Sequence, residues 1–178
     1  MEGIANMANV MQLGGPKDEG AMVGPLISQK QLTRVLGYLD QGKSDGNELV
    51  TGGHRLDRKG YFVHPTVVTN VDPDSSRLFQ EEIFGPVVTI LPFDGEDEAV
   101  ALANNSTYGL AATTWTNDLG RAHRLAKRLK AGTVGLNCQM QFDHSMPFGG
   151  YKQSGWGYES GKAGIDTYLQ TKIVWAQM

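Results

Sequence analysis

Residues 87–115, VVTILPFDGEDEAVALANNSTYGLAATTW, contain the pattern that decides the fold. The near-continuous apolar run Val87–Leu91 is typical of a parallel strand that is covered on both faces. Asp94 then begins a helix rich in alanine and aliphatic residues, and Gly109–Trp115 is predicted to be the next strand. A strand, a helix and a second strand in this order predict a right-handed βαβ crossover in a parallel sheet.

The same alternation continues towards the C-terminus. Asn117 or Asp118 is predicted to cap an amphipathic helix that ends at Gly132. Thr133–Asn137 is predicted to be a further strand. The fold class is therefore α/β, with a parallel βαβ sheet.

Helices are also predicted near the N-terminus. Ser28 with Gln31 forms a capping-box pattern, which predicts a helix from about Gln29 to Gln41 with Gly42 as its C-cap. Residues 1–15 are small and apolar and are expected to be the tail of a helix.

Three more segments have strand character. Glu48–Thr51 is predicted to be a short strand, and Tyr61–Val71 a strand with a break at Pro65. After Gly150 the alternation stops, and Thr167–Trp175 is predicted to be one last strand. A lone terminal strand needs a partner edge, so we expect this strand to pair with another subunit of a homo-oligomer.

Composition excludes several classes of function. Of the 178 residues, 40% are hydrophobic and 20% are charged, which is ordinary for a soluble globular protein. A net charge of −3 gives no basic face for nucleic acid. Neither a membrane span nor a signal peptide is predicted. A single cysteine is consistent with a reducing compartment, and we expect the protein to be cytoplasmic.

The first motif is Glu81-Glu82-Ile83-Phe84-Gly85-Pro86, directly before the strand at Val87. The residue types alone are more typical of a solvated acidic loop. The alternative is a binding loop, in which one carboxylate accepts hydrogen bonds from a sugar diol and the aromatic side chain packs against a flat cofactor ring.

The second motif is a glycine pair that follows Pro147-Phe148. It predicts a backbone turn tight enough to need glycine at positions 149 and 150. Phe148 is then either a core aromatic residue beside the turn or part of the wall of a binding site.

Together, Gln80–Pro86 and Met146–Gly155 resemble the C-terminal part of an NAD(P)-dependent aldehyde dehydrogenase. The resemblance extends from Gly24 to Lys172. It implies that Glu82 holds the nicotinamide-ribose hydroxyls and that Phe84 lies near the nicotinamide.

The resemblance also implies a substrate, a domain division and an oligomer. Phe142 and Phe148 would line the tunnel for the aldehyde, which in the bacterial phenylacetaldehyde-type members that this chain resembles is aromatic. Residues 1–155 would be part of the catalytic domain, and residues 156–178 would form an oligomerisation arm.

In this family a cysteine thiolate attacks the aldehyde, a hydride passes to NAD or NADP, and a glutamate-activated water releases the acid. The nucleophile, the general base and the Rossmann domain would lie before Met1, so we expect a truncated enzyme without catalytic residues that is inactive alone. The alternative is a non-catalytic remnant that associates with itself or with a partner.

Three tempting sites are set aside. Cys138 ends a predicted buried strand, whereas a nucleophilic thiol needs a helix N-terminus or a neighbouring cation. The glycines from Gly155 to Gly161 have the wrong spacing for a dinucleotide fingerprint, and no strand leads into them. The four histidines lack metal-ligand spacing, so no metal site is predicted.

Overall fold

The computed structural model describes residues 1–139 and 143–178. The chain divides into two compact units, Met1–Phe93 and Asp94–Met178. Within the part of the chain that the structure describes, no helix combines the length and the apolar character needed to cross a bilayer.

The first unit contains three helices and a three-stranded sheet. The elements in chain order are α1 (Glu2–Val10), α2 (Gln29–Ser44), β1 (Glu48–Thr51), β2 (Thr66–Thr69), α3 (Arg77–Gln80) and β3 (Val87–Thr89). Strand β1 pairs antiparallel with β2, and β2 pairs parallel with β3. Strand β2 is therefore the central strand, and all four of its residues are buried.

Helix α2 supplies the centre of the core of this unit. Its side chains Leu32, Val35 and Leu39 are completely buried and belong to the same cluster as Val68 of β2. Their spacing of three and seven positions places them on one helical face. The Oγ of Ser28 accepts a hydrogen bond of 3.2 Å from the backbone N–H of Gln31, as the capping pattern predicted.

The predicted end of α2 at Gly42 is wrong, because the helix continues to Ser44. A methyl group on Gly42 would lie 2.3 Å from Cδ1 of Leu78, which is itself buried. Glycine is therefore needed here because Leu78 of α3 packs closely against the helix, and not because the helix ends at this position.

The predicted strand Glu48–Thr51 is confirmed as β1, whereas the other two predicted strands of this unit are longer than the observed ones. Of Tyr61–Val71, residues Thr66–Thr69 form β2, and Val63 makes only an isolated bridge with Arg55. The run from Val87 was expected to be covered on both faces. In the single chain, however, Val88 of β3 is 45% exposed.

The second unit contains a parallel βαβ arrangement. The elements are α4 (Gly95–Asn104), β4 (Tyr108–Gly109), β5 (Ala111–Thr114), α5 (Leu119–Arg128), β6 (Thr133–Leu136), β7 (Tyr151–Lys152) and α6 (Gly161–Asp166). Strands β5 and β6 pair in parallel with α5 between them in sequence, which confirms the second of the two predicted βαβ crossovers. The first predicted crossover, from the strand at Val87 to the strand after Gly109, is not formed within one sheet of the described residues, because β3 pairs with β2 and β5 pairs with β6 in separate sheets. Strands β4 and β7 form a short antiparallel pair.

Two boundaries in this unit differ from prediction. The expected strand Gly109–Trp115 is divided at Leu110, because β4 and β5 pair with different partners. Of the two candidate caps, Asp118 caps α5: its Oδ1 accepts a hydrogen bond of 2.9 Å from the N–H of Arg121. Helix α5 ends at Arg128, before Gly132.

The predicted terminal strand Thr167–Trp175 is not a strand in the single chain, where residues 169–178 have no regular secondary structure. A strand is stabilised by ladder hydrogen bonds to a neighbour, and Trp175 is instead 93% exposed. Pairing on another subunit stays a prediction, as does the division into a catalytic part and an arm at residue 155.

Candidate functional site

The loop of residues 81–85, called here the acidic loop, connects α3 to β3 in the first unit. Phe84 has φ of 58° and is 72% exposed. This left-handed conformation costs a residue other than glycine roughly 1–2 kcal/mol. An exposed aromatic residue in this conformation is held there by contacts elsewhere in the loop, which makes Phe84 a candidate functional residue.

Helix α2 supplies those contacts through polar side chains. The amide nitrogen of Gln31 donates to the carbonyl oxygens of Ile83 and Phe84, at 3.0 and 2.9 Å. The Nη2 of Arg34 donates to the carbonyl oxygen of Glu82 at 2.6 Å. Three consecutive carbonyls of the acidic loop are thus held by one helix.

Gly85 permits this close approach. A methyl group at this position would lie 2.7 Å from Cγ2 of Val35, a completely buried residue of α2. The glycine of the motif is therefore required by packing against the helix.

The carboxylate of Glu81 is fully engaged in the structure. Arg77 donates to it through two nitrogens at 2.7 and 3.0 Å, and the hydroxyl of Tyr38 donates at 2.6 Å. The hydrogen bond from Arg77, then that from Tyr38, lowers the pKa of Glu81 to about 2. The same pairing raises the pKa of Arg77, and the guanidinium lies 4.8 Å from the centre of the Tyr38 ring.

Glu82 differs from its neighbour. It is exposed, and its carboxylate makes no hydrogen bond or ion pair with any residue in the ranges 1–139 and 143–178. A free carboxylate can accept hydrogen bonds from both hydroxyls of a diol. The pair thus consists of one structural carboxylate, Glu81, and one available carboxylate, Glu82.

Phe148 belongs to the second unit, where it is half-buried. Its backbone exchanges two hydrogen bonds, of 2.7 and 2.8 Å, with Glu159. The structure confirms that position 149 needs glycine, because a methyl group on Gly149 would lie 2.6 Å from the carbonyl oxygen of Gly157. Similarly, a methyl group on Gly132 would lie 1.8 Å from the carbonyl oxygen of Gly149.

Phe148 also borders a cavity of about 540 Å³ within this unit. Asp143 lies on the cavity wall, and its pKa is lowered by hydrogen bonds from the backbone N–H and the hydroxyl of Ser145. The wall thus combines an aromatic ring with a charged carboxylate. It is formed by Gly132, Thr133, Val134, Asp143, His144, Met146, Pro147, Phe148, Glu159 and Ser160.

Two other predicted positions have different outcomes. Phe142 lies outside the described residues. Cys138 is a free, half-buried thiol just after β6. Among the residues that the structure places, no group of three or more histidine, cysteine or acidic side chains could hold a metal ion.

The sequence-based reading missed the residues that hold the acidic loop. Gln31, Arg34 and Tyr38 recur at helical spacing beside the apolar face of α2, which is a recognisable polar stripe. Nothing in that stripe indicates the loop it contacts, because the bonded partners lie 43 to 53 residues further along the chain.

Comparison with known proteins accounts for this combination of fold and loops. A model of the aldehyde dehydrogenase family matches residues 1–174. The chain therefore belongs to the aldehyde dehydrogenase family, which confirms the predicted resemblance.

Curated relatives include DhaS of Bacillus subtilis, which is 46% identical over 98% of this chain and 35% of its own length. Aldehyde dehydrogenase [NAD(P)+] 1 of Saccharomyces cerevisiae is 46% identical over 89% of this chain and 32% of its own. A betaine aldehyde dehydrogenase of Cereibacter sphaeroides is 42% identical over 98% and 36%. The chain spans about a third of the length of these relatives.

Solved structures agree with the fold. An NAD+ complex of an aldehyde dehydrogenase from Bacillus cereus has a TM-score of 0.95 and 47% identity, and the match covers 99% of this chain and 36% of that one. Betaine aldehyde dehydrogenase from Staphylococcus aureus in complex with NAD+ has a TM-score of 0.93 and 42% identity, over 96% and 35%. The α/β class predicted from the sequence is thereby confirmed.

Proposed function

We propose that this chain supplies part of the cofactor and substrate sites of an aldehyde dehydrogenase, which oxidises an aldehyde to the carboxylic acid with NAD or NADP. The observation that carries the proposal is the acidic loop, where a family motif presents one free carboxylate beside an exposed aromatic ring. The NAD+ complexes of two similar structures support it.

The acidic loop fits the nicotinamide half of such a cofactor. The carboxylate of Glu82 would accept hydrogen bonds from the two ribose hydroxyls, and the ring of Phe84 would pack against the flat nicotinamide. When bound, NAD(P)+ supplies the acceptor for the hydride that leaves the substrate. The role of these two residues is to orient that acceptor, because orientation lowers the barrier to a transfer between two bound groups.

Phe142 and Phe148 would contribute to the wall of the substrate site. An aromatic wall favours an apolar aldehyde and excludes water from the reacting carbonyl. A phenylacetaldehyde-type substrate is one candidate. A betaine-type aldehyde is the other, because a relative named as a betaine aldehyde dehydrogenase is 42% identical and Asp143 and Phe148 both line the cavity.

The reacting groups would come from outside these residues. Cys138 follows the end of a strand, and in the part of the chain described here no helix begins at it; the next helix, α6, begins at Gly161. It therefore lacks a helix N-terminus, one of the settings that activate a thiol. The purified chain, mixed with NAD+ and either phenylacetaldehyde or a short aliphatic aldehyde, should form no NADH. Turnover that disappears in Cys138→Ser would overturn this assignment.

A chimera tests the cofactor role. Residues 1–178 replace the corresponding third of the Bacillus cereus enzyme, and NADH formation is measured with phenylacetaldehyde and with betaine aldehyde. A hydrogen bond to a charged group contributes about 1.5–3 kcal/mol, so Glu82→Gln should raise the KM for NAD+ roughly 10- to 100-fold. Asp40→Asn removes the same charge from an exposed pair on α2 and should leave this KM unchanged. Equal KM values in wild type and Glu82→Gln would refute the proposed role.

A second, non-catalytic function rests on the C-terminal residues. Tyr168 and Trp175 are 90% and 93% exposed in the single chain, and apolar surface of this kind marks an interaction site. Under this alternative the chain self-associates through residues 167–178. Light scattering of the chain with and without residues 167–178 tests this alternative, which predicts a smaller oligomer after the deletion. An unchanged oligomer would rule out association through this segment.

A further inference from the structure

We propose that Glu81 is a positioning residue for the cofactor site: its bonds to Arg77 and Tyr38 fix the acidic loop so that Glu82 and Phe84 are presented ready for the cofactor. The inference deepens the proposed function and rests on it for the identity of the ligand.

The first step is the orientation of two neighbouring side chains. The backbone at Glu81 is extended, with φ of −111° and ψ of 154°. Successive side chains of an extended segment point to opposite sides. Three hydrogen bonds direct Glu81 towards α2 and α3, whereas Glu82 is exposed, so we infer that its side chain points away from these helices. The engaged carboxylate thus determines where the free one lies.

The second step concerns the anchoring of the acidic loop at both ends. At its start, Glu81 joins Arg77 of α3 to Tyr38 of α2. At its end, Gln31 holds the carbonyl oxygens of Ile83 and Phe84. Between these anchors the loop has little freedom, and the left-handed conformation of Phe84 is maintained without burial of its ring.

The third step is the consequence for binding. A loop that is already ordered loses little conformational entropy when a ligand binds, so its affinity is higher than that of a mobile loop with the same contacts. Loss of the Glu81 anchor should therefore weaken cofactor binding although Glu81 itself touches no ligand. The low pKa of Glu81 is consistent with an anchor that stays charged at neutral pH.

The test uses the 178-residue chain and nicotinamide mononucleotide, which carries only the nicotinamide-ribose half of the cofactor. Backbone 15N order parameters and the Kd for the mononucleotide are measured by NMR for wild type, Glu81→Gln, Glu82→Gln and the charge control Asp40→Asn. The variant Tyr38→Phe, which removes one of the three bonds and keeps the Arg77 pair, covers the case in which Glu81→Gln does not fold.

We expect Glu81→Gln to lower the order parameters of residues 82–84 from about 0.85 to below 0.6. The Kd should rise at least fivefold, while the order parameters of the second unit are unchanged. Tyr38→Phe should change both quantities in the same direction by less, and Asp40→Asn should match wild type.

Two results of the order-parameter measurement would overturn the inference: an acidic loop as rigid in Glu81→Gln as in wild type, or a uniform loss of order throughout the first unit. An unchanged Kd in Glu81→Gln, with weaker binding by Glu82→Gln, would also refute it while leaving the proposed function intact. If wild type binds no mononucleotide, or Glu82→Gln binds as well as wild type, the proposed function fails. The order parameters then still decide whether Glu81 positions the loop.

Discussion

At the residue scale, Phe84 and Gly85 are adjacent positions with opposite demands on the side chain. Phe84 keeps a large ring in a backbone conformation that favours glycine, whereas Gly85 has no room for a methyl group beside Val35. Substitutions at these two positions should therefore have opposite effects on stability.

Phe84→Gly removes roughly 1–2 kcal/mol of backbone strain, and loses little burial because the ring is 72% exposed. Glycine also makes the unfolded chain more flexible. The free energy of unfolding should therefore be unchanged or up to about 1 kcal/mol higher in urea denaturation. Gly85→Ala, the matched control, should lower it by about 1–3 kcal/mol. A large loss of stability in Phe84→Gly would show that the ring is retained for packing and not for a ligand.

At the element scale, α2 contains two glycines that test whether local propensity or packing dominates. Gly37 is exposed, and a methyl group there would meet no atom within 4 Å. Gly37→Ala should raise the free energy of unfolding by about 0.5–1 kcal/mol through helix propensity. Gly42→Ala gains the same propensity but clashes with Leu78, and should be net destabilising by about 1–3 kcal/mol. Thermal or urea unfolding of the two variants checks this, and equal effects would refute the packing role of Gly42.

The N-cap of the same helix gives a further prediction. Ser28→Ala leaves the N–H of Gln31 without its acceptor and should cost about 1 kcal/mol of stability. Ser28→Asp keeps an acceptor and should restore most of it. If the two variants are equally stable in urea, the side-chain cap contributes nothing.

The outcome for each element follows from the range of the interactions that determine it. The start of α2 was predictable because Ser28 caps a donor three residues away. The role of Gly42 was not, because its neighbour Leu78 lies far along the chain. Likewise, the contacts from Gln31 and Arg34 could not be predicted, because their partners are about fifty positions distant. The assignment of Glu82 and Phe84 as site residues follows from the family resemblance and stays a prediction.

At the scale of the whole molecule, acid should destabilise the fold. Glu81 has a folded-state pKa of about 2, below its ordinary value of 4.5. A lowered pKa means that the stabilisation is present above the unfolded-state value and is lost as pH falls through the folded-state value. The pKa values of Asp72, Glu96, Asp118 and Asp143 are lowered too.

The melting temperature should thus be nearly constant above about pH 5 and should fall between about pH 4.5 and pH 2. In Glu81→Gln it should be lower at neutral pH, and its decrease with acid should be smaller. Because Glu81 is partly exposed, salt should reduce the difference between the two proteins. Parallel curves for the two proteins would contradict the pKa shift.

The proposed contact between Phe84 and the nicotinamide ring gives the most direct test of the central claim. The chain, with 13C in its phenylalanine rings, is mixed with millimolar NAD+, and intermolecular NOEs are recorded for wild type and Glu82→Gln. We predict NOEs from the ring protons of Phe84 to the nicotinamide protons, and their loss in Glu82→Gln. Nicotinamide NOEs that come only from other phenylalanines, or none from wild type, would contradict the assignment of this loop to the cofactor.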